Sequence, residues 1–262
     1  MTSPIRTLAT RGRDAWLAAL LMLAITAAPA AAVLTCDPIH FPPQDVLRYL
    51  NITVSSGNVS TMYMDQEITN WMAIGVLAFD TNSDYDVAMY NSCGGGLLAS
   101  SVAGAGRTDF VIGDFNNNPT GSYAGDLYCY GGDCTAAGTY GAYTWRNGTF
   151  LFVDFAPTVA DFTSGPPYSP DRVMHVYDLF MSSGSTYYFQ FSSTLGAGSK
   201  MLLFRNPSGG TYWAGRNSAV FEVSGCTSYT APSSGYYGLV VVNDVWSPGS
   251  YTVGVYSTPQ CA

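Results

Sequence analysis

The sequence predicts an all-β protein in which two tandem β-sandwich domains follow a cleaved signal peptide. Three observations predict this fold class. After residue 32 no segment shows sustained helical periodicity, and short apolar strands recur at intervals of roughly 8–15 residues between Gly-, Asn- and Pro-rich turns. One group of these strands also occurs twice. Because a sandwich of this type needs about 100 residues, the 262 residues of the chain accommodate two.

The composition excludes two classes of protein. Charged residues make up 11% of the chain, whereas hydrophobic residues make up 47% and aromatic residues 14%. An intrinsically disordered chain has the opposite balance. The formal charge is −8 and Lys200 is the only lysine, so the chain has no basic stripe with which to bind nucleic acid.

Residues 1–32 have the pattern of a bacterial-type Sec signal peptide. Arg6, Arg11 and Arg13 precede an apolar run at 15–28, and three alanines at 30–32 fit a cleavage site. The run is shorter than the ~20 residues that a membrane-spanning helix needs. We therefore expect a secreted protein, extracellular or at the cell surface, with no membrane span.

The rest of the chain contains two copies of one β unit. The matched segments each combine a strand with a turn signal, and they are 45–57 with 172–184, 87–95 with 202–210, and 148–153 with 249–254. A segment with four prolines separates the copies and has the composition of a stiff linker. The predicted organisation is a signal peptide (1–32), domain 1 with two insertions (33–157), a linker (158–170) and domain 2 (171–262).

The second copy resembles the bacterial pre-peptidase C-terminal domain. The resemblance rests on three segments, namely 176–180, 200–204 and Thr-Ala-Pro-Ser-Ser-Gly-Tyr-Tyr-Gly-Leu-Val-Val-Val at 230–242. It implies a jelly-roll-like sandwich that acts as a non-catalytic appendage of exported hydrolases or as a module of surface proteins. The first copy is more divergent, and the chain is interpreted as a divergent tandem pair.

The six cysteines all follow the predicted signal peptide, and export favours disulfide bonds. We predict the pairs Cys129–Cys134, Cys226–Cys261 and Cys36–Cys93. Two glycines in the short 129–134 loop favour the first pair, whereas the other pairings stay open. Thr35 occupies a position at which a lipoprotein signal has Gly or Ala, which argues against lipidation of Cys36. Lipidation of Cys36 stays open.

The sequence does not predict an enzyme. His40 and His175 are the only histidines, and no nucleophile-elbow, zinc-peptidase or P-loop motif occurs. His175 lies in an alternating strand, where we expect a structural role.

One acidic segment predicts a Ca²⁺ site. Asp80, Asn82, Asp84 and Asp86 place four oxygen ligands at alternate positions, which suits a hard cation. The alternative is an ordinary Asp/Asn turn. The second copy has Gly-Ala-Gly-Ser at 196–199 instead, so the site is expected in the first copy only.

Two tryptophans are candidates for ligand binding. Trp145 and Trp246 are predicted on loops, where exposed rings stack on sugars, unless each folds back over its own loop. The favoured function is binding or adhesion to a glycan or cell-surface polymer. One alternative is a subunit of a fibre or surface layer that self-assembles through edge strands, with 33–43 as the donated strand. Another is an auxiliary module of an exported hydrolase system.

Overall fold

The computed structural model describes residues 39–41, 48–52, 59–65, 71–78, 82–92, 94–119, 122–132, 141–147, 149–162 and 173–260. Leu34–Ala262 form one compact unit. The predicted signal peptide lies outside the described ranges and stays a prediction.

The described residues of the first half form nine strands, which are β1 (Ile39–Phe41), β2 (Arg48–Ile52), β3 (Val59–Asp65), β4 (Trp71–Ala78), β5 (Asp84–Tyr90), β6 (Leu97–Ser101), β7 (Asp109–Asp114), β8 (Ser122–Gly131) and β9 (Gly141–Asn147). All eight residues of β4 are buried. This matches its continuous apolar sequence, because a strand covered on both faces needs no polar alternation.

From residue 149 onward the structure describes ten strands, which are β10 (Thr149–Leu151), β11 (Thr158–Phe162), β12 (Met174–Met181), β13 (Thr186–Ser193), β14 (Ser199–Phe204), β15 (Trp213–Gly215), β16 (Phe221–Val223), β17 (Thr227–Thr230), β18 (Gly235–Asn243) and β19 (Gly249–Tyr256). Within the described ranges the only helical turns are two three-residue 3-10 turns, and no helix there is long and apolar enough to cross a membrane. The all-β prediction is confirmed.

The strands form four sheets, whose strand orders are A (β1-β3-β8-β5-β6), B (β15-β7-β4-β9-β2), C (β10-β12-β18-β14-β16) and D (β11-β19-β13-β17). Three apolar clusters lie between them. One cluster joins A and B through side chains such as Val87 and Ile74, and another joins C and D through Leu179 and Phe189. The third packs Trp71 and other side chains of B against C. The sheets therefore stack in the order A, B, C, D.

The two halves repeat one topology. β1 pairs in parallel with β3, as β10 does with β12, and the antiparallel pairs of A and B recur in C and D. Val59, Trp71 and Asp84 begin β3, β4 and β5, and the strands that begin 115 residues later are β12, β13 and β14. β15 is the one strand of the second half without a counterpart among the described strands of the first.

Two of the predicted repeat alignments are wrong by one strand. The segment 45–57 contains β2, whose counterpart is β11, and not the β12 that lies in 172–184. Both segments end in Ser-Ser-Gly, and this shared turn signal produced the match. The counterpart of β19 is β9, so 148–153 is also misaligned. The alignment of 87–95 with 202–210 correctly joins β5 to β14.

The second sandwich begins earlier than the predicted boundary at residue 171. β10 pairs with β12, and β11 pairs with β19 over Thr158–Phe162. The first five residues of the predicted linker are therefore a strand of sheet D. Prolines on both sides gave the segment a linker-like composition that concealed this short strand. Residues 163–170 lie outside the described ranges.

The segment predicted to donate a strand to a neighbouring molecule is used within its own chain. Ile39–Phe41 forms β1 and pairs with Met62–Met64 of β3. The hypothesis of a free donor at 33–43 is therefore wrong for these three residues.

A buried ion-pair network crosses between the halves. The Arg216 side chain is fully buried and pairs with Asp244 and Glu222, each at 2.7 Å. It also donates a hydrogen bond to the carbonyl oxygen of Thr108 at 2.7 Å. Arg107, in the loop between β6 and β7, pairs with the same Glu222 from the solvent side. β15 adds a second connection because it pairs with β7 of sheet B.

Candidate metal centre

Three aspartates from two sheets meet at one end of the first sandwich. Asp84 and Asp86 lie on β5 of sheet A, and Asp109 begins β7 of sheet B. One carboxylate oxygen of each residue lies within 4.8 Å of those of the other two. Asp86 and Asp109 are buried, whereas Asp84 is partly exposed. We refer to these three residues as the acidic cluster.

Two carboxylate oxygens of the acidic cluster are buried without a hydrogen-bond partner. Oδ1 of Asp109 accepts hydrogen bonds from the Ser101 hydroxyl at 2.6 Å and from the Ala103 amide at 2.7 Å. Its Oδ2 has no partner, and neither has Oδ1 of Asp84. A buried polar atom without a partner costs roughly 1–3 kcal/mol, and more when it is charged. Both atoms are therefore positioned to gain from a ligand.

Burial and mutual repulsion both disfavour the state in which all three carboxylates of the acidic cluster are ionised. Burial raises the pKa of Asp109 to about 7, although hydrogen bonds from Ser101 and Ala103 act in the opposite direction. Burial also raises the pKa of Asp86 to about 6, and the nearby charge of Asp84 adds to the shift. A bound cation would reverse these effects by neutralising the carboxylates.

The donor set suits a hard divalent cation. Ca²⁺ binds oxygen ligands at 2.3–2.6 Å, so two ligands on opposite sides of the ion lie about 5 Å apart. The oxygen separations in the acidic cluster fall within that limit. Carboxylate oxygens alone favour Ca²⁺, Mg²⁺ or Mn²⁺ over metals that prefer nitrogen or sulfur.

The structure brings together two of the four predicted ligands. Asp84 and Asp86 belong to the acidic cluster, Asn82 is exposed two residues before Asp84, and Asp80 lies outside the described residues. Asp109 was missed because it is distant from Asp84 in sequence. One sequence signal could have indicated Asp109, which directly precedes the apolar run at 110–112. Such a run predicts a buried strand, and a charged side chain is unusual there.

Among the described residues of the second half, no carboxylates occupy the positions equivalent to Asp84 and Asp86. The strand correspondence places Ser199 opposite Asp84 and Met201 opposite Asp86. Both counterparts are buried, and Met201 belongs to the apolar core between sheets C and D. The restriction of a cation site to the first copy stays a prediction.

Of the two tryptophans proposed as ligand-binding residues, Trp246 lies in the predicted loop, between β18 and β19, whereas Trp145 does not lie in a loop. Trp246 is half-buried and packs against the apolar cluster between sheets B and C. The backbone of Trp145 lies within β9, paired with Arg48 and Ile74, rather than on a loop. The side chain of Trp145 lies outside the described part of the chain.

The two cysteines in the described ranges, Cys129 and Cys226, are both disulfide-bonded. The other four cysteines lie outside those ranges, so the three predicted pairings stay predictions.

His175 has a structural setting in the second sandwich. It is buried, stacks on Phe162 with ring centroids 5.5 Å apart, and shares a hydrogen bond with the Tyr251 hydroxyl. That hydroxyl also bonds to Tyr177 at 2.5 Å. A histidine enclosed in this way has no access to a substrate.

No protein-family model and no curated protein matches the sequence. Solved structures similar to this chain include the pre-peptidase C-terminal domain of collagenase from Bacillus anthracis, at 14% identity over 42% of this chain and 95% of that one, with a TM-score of 0.33. PliG from Salmonella Typhimurium, a periplasmic inhibitor of g-type lysozyme, is 18% identical over 42% of this chain and 99% of its own, with a TM-score of 0.25.

The first of these structures belongs to the family that the second copy resembles in sequence. It covers less than half of this chain, so the tandem pair of such domains stays a prediction. Similarity at these TM-scores identifies neither a ligand nor an activity.

Proposed function

We propose that this chain is a non-catalytic extracellular binding module whose first sandwich holds Ca²⁺ through Asp84, Asp86 and Asp109. The observation that supports the proposal is the pair of buried carboxylate oxygens without a partner, on Asp84 and Asp109. A divalent cation would satisfy both oxygens and offset the repulsion among three carboxylates.

Secretion and the absence of catalysis have separate support. The N-terminal pattern predicts export, and the disulfide bonds of Cys129 and Cys226 suit an oxidising compartment. His175, one of only two histidines, is enclosed in the core of the second sandwich and is a poor candidate for a general base.

The cation would have a mechanical role in the first sandwich. Two of its ligands lie on sheet A and one on sheet B. A bound Ca²⁺ would therefore connect the two sheets at the end where the chain enters β5. This would hold the module in one conformation, much as a disulfide does.

Calcium binding is expected to raise the thermal stability of the protein. A ligand that binds only the folded state contributes about 2.7 kcal/mol at a hundredfold excess over its Kd. Calorimetry in millimolar Ca²⁺ and then in chelator should show this difference. Asp109→Asn should abolish the calcium-dependent shift and leave the calcium-free protein at least as stable, because the substitution removes one repelling charge.

Asp161→Asn is the matched control. It removes an exposed carboxylate from β11 of the second half and should preserve the full calcium shift. A melting temperature that is the same in Ca²⁺ and in chelator would refute the proposed site. Retention of the shift by Asp109→Asn would do the same.

A further inference from the structure

Five aromatic side chains form a continuous exposed row at one edge of sheet C. Phe155, Phe152, Phe150, Tyr236 and Phe180 follow one another with centroid separations of 5.4, 6.4, 5.9 and 5.4 Å. Each side chain is between 41% and 67% exposed. We call these five residues the aromatic row. Contiguous exposed apolar surface of this kind generally marks a binding site.

A polar cleft of about 720 Å³ adjoins the aromatic row, and Tyr236 belongs to both. Asparagine amides, serine hydroxyls and one guanidinium line the cleft. The lining residues include Asn116, Asn117, Arg205 and Asn206.

Buried Asp114 holds the asparagines of the cleft in fixed positions. Its carboxylate accepts hydrogen bonds from the side-chain amides of Asn116, Asn117 and Asn206 at 3.2, 2.7 and 2.8 Å. The asparagines therefore keep their orientation without a ligand. A binding site with side chains already in place loses less entropy when it binds.

Several polar groups of the cleft have no partner among the described residues. The carbonyl oxygens of the Asn116 and Asn117 side chains accept no hydrogen bond there, and the Arg205 guanidinium makes no hydrogen bond or ion pair. The cleft thus offers both acceptors and donors beside a row of aromatic rings.

We infer that the aromatic row and the cleft together bind an uncharged polysaccharide chain, an inference that rests on the proposed function as a binding module. A pyranose ring has an apolar C–H face that packs on an aromatic ring, and a rim of hydroxyl groups that both donate and accept hydrogen bonds. Asn116, Asn117 and Arg205 meet that rim. The net charge of −8 disfavours an acidic polymer, because long-range repulsion would oppose its approach.

The pairing of a purely aromatic surface with unpaired polar groups favours a sugar over a second copy of the chain. The row consists of aromatic rings, and amides, hydroxyls and a guanidinium line the cleft beside it. A sugar, whose hydroxyl groups both donate and accept hydrogen bonds, can satisfy the Arg205 guanidinium and the asparagine carbonyl oxygens together.

Affinity electrophoresis of the secreted protein tests the inference. The gels contain hydroxyethylcellulose, galactomannan, xyloglucan or soluble starch, and carboxymethylcellulose serves as the charged counterpart of the first. At least one uncharged polymer should retard the protein, and carboxymethylcellulose should retard it less. Phe152→Ala, within the row, and Arg205→Gln, in the cleft, should each weaken retardation about tenfold.

Tyr130→Ala is the matched control, since it removes an exposed aromatic ring outside the row. It should leave retardation unchanged, and all variants should keep the wild-type melting temperature. The inference is overturned if no uncharged polymer retards the protein, or if Phe152→Ala is retarded like the wild type. A dimer in light scattering that Phe152→Ala dissociates, without retardation by any polymer, would assign the row to a second copy instead. The calcium-dependent melting shift, measured on the same samples, reports separately on the proposed function.

Discussion

Replacing Arg216 by methionine is expected to lower the free energy of unfolding by about 3–5 kcal/mol, because it leaves partly buried acidic groups without their cation. Arg216 donates hydrogen bonds to both carboxylate oxygens of Asp244 at 2.7 and 2.8 Å, and to Glu222 at 2.7 Å. Burial alone would lower its pKa, but the hydrogen bonds that Arg216 donates to these two acids outweigh burial and hold the pKa above its ordinary value. Urea denaturation followed by circular dichroism measures the loss.

Arg107→Met is the matched control for this prediction. Arg107 pairs with the same Glu222 at 2.7 Å, but its side chain is 42% exposed. Because exposed ion pairs contribute little, the expected loss is at most about 1 kcal/mol. Equal losses for the two variants would contradict the assignment of Arg216 as the buried centre of the network.

Replacing Trp71 by alanine is expected to lower the free energy of unfolding by about 3–5 kcal/mol and to weaken the attachment of the two sandwiches. The Trp71 side chain is fully buried between sheets B and C, and its indole nitrogen donates a hydrogen bond to the carbonyl oxygen of Tyr236 at 3.1 Å. Gly238 faces the indole so closely that a Cβ there would lie 2.7 Å from the ring. Such close packing leaves a large cavity when the indole is removed.

Differential scanning calorimetry tests the Trp71 prediction. The wild-type protein should unfold in one transition, since the sandwiches share an apolar cluster, and Trp71→Ala should unfold at a lower temperature in a broader or split transition. Trp246→Ala is the matched control, because that half-buried ring packs against the same cluster without being one of its fully buried members. Trp246→Ala should lower the free energy of unfolding by less than Trp71→Ala does, and the variant should still unfold in a single transition. Two separate transitions in the wild-type protein would show that the interface contributes little.

The fold class could be predicted from local pattern, whereas the arrangement of the two copies could not. Tyr187, Phe189 and Phe191 alternate with less buried neighbours along β13, which is the signature that a sequence reveals directly. The stacking of sheets B and C depends on contacts between residues more than 100 positions apart, such as the hydrogen bond from the Trp71 amide to the Asp178 carboxylate. No local pattern specifies such a contact.

Only the part of the candidate site that lies on one strand could be predicted from the sequence. Asp84 and Asp86 are neighbours on β5 and share one sequence motif, whereas Asp109 arrives from a different sheet. The turn-rich surroundings of Trp246 correctly predicted a loop, but the packing of its ring against the cluster between the sandwiches depends on tertiary contacts that no local pattern specifies. The aromatic row was missed because its members come from three strands of one sheet and the segment after β10.

Sheet B has an evolutionary consequence, because it is covered on both faces. Its outer face, which includes Trp71, Phe110 and Ile112, would be open to water if the first half existed alone. A strand of the second half also completes the edge of this sheet through β15. A gene fragment that encodes only the first half would thus yield a product with an exposed apolar face, prone to aggregation. The two halves together are consequently the smallest piece that recombination could move into another protein with sheet B still covered.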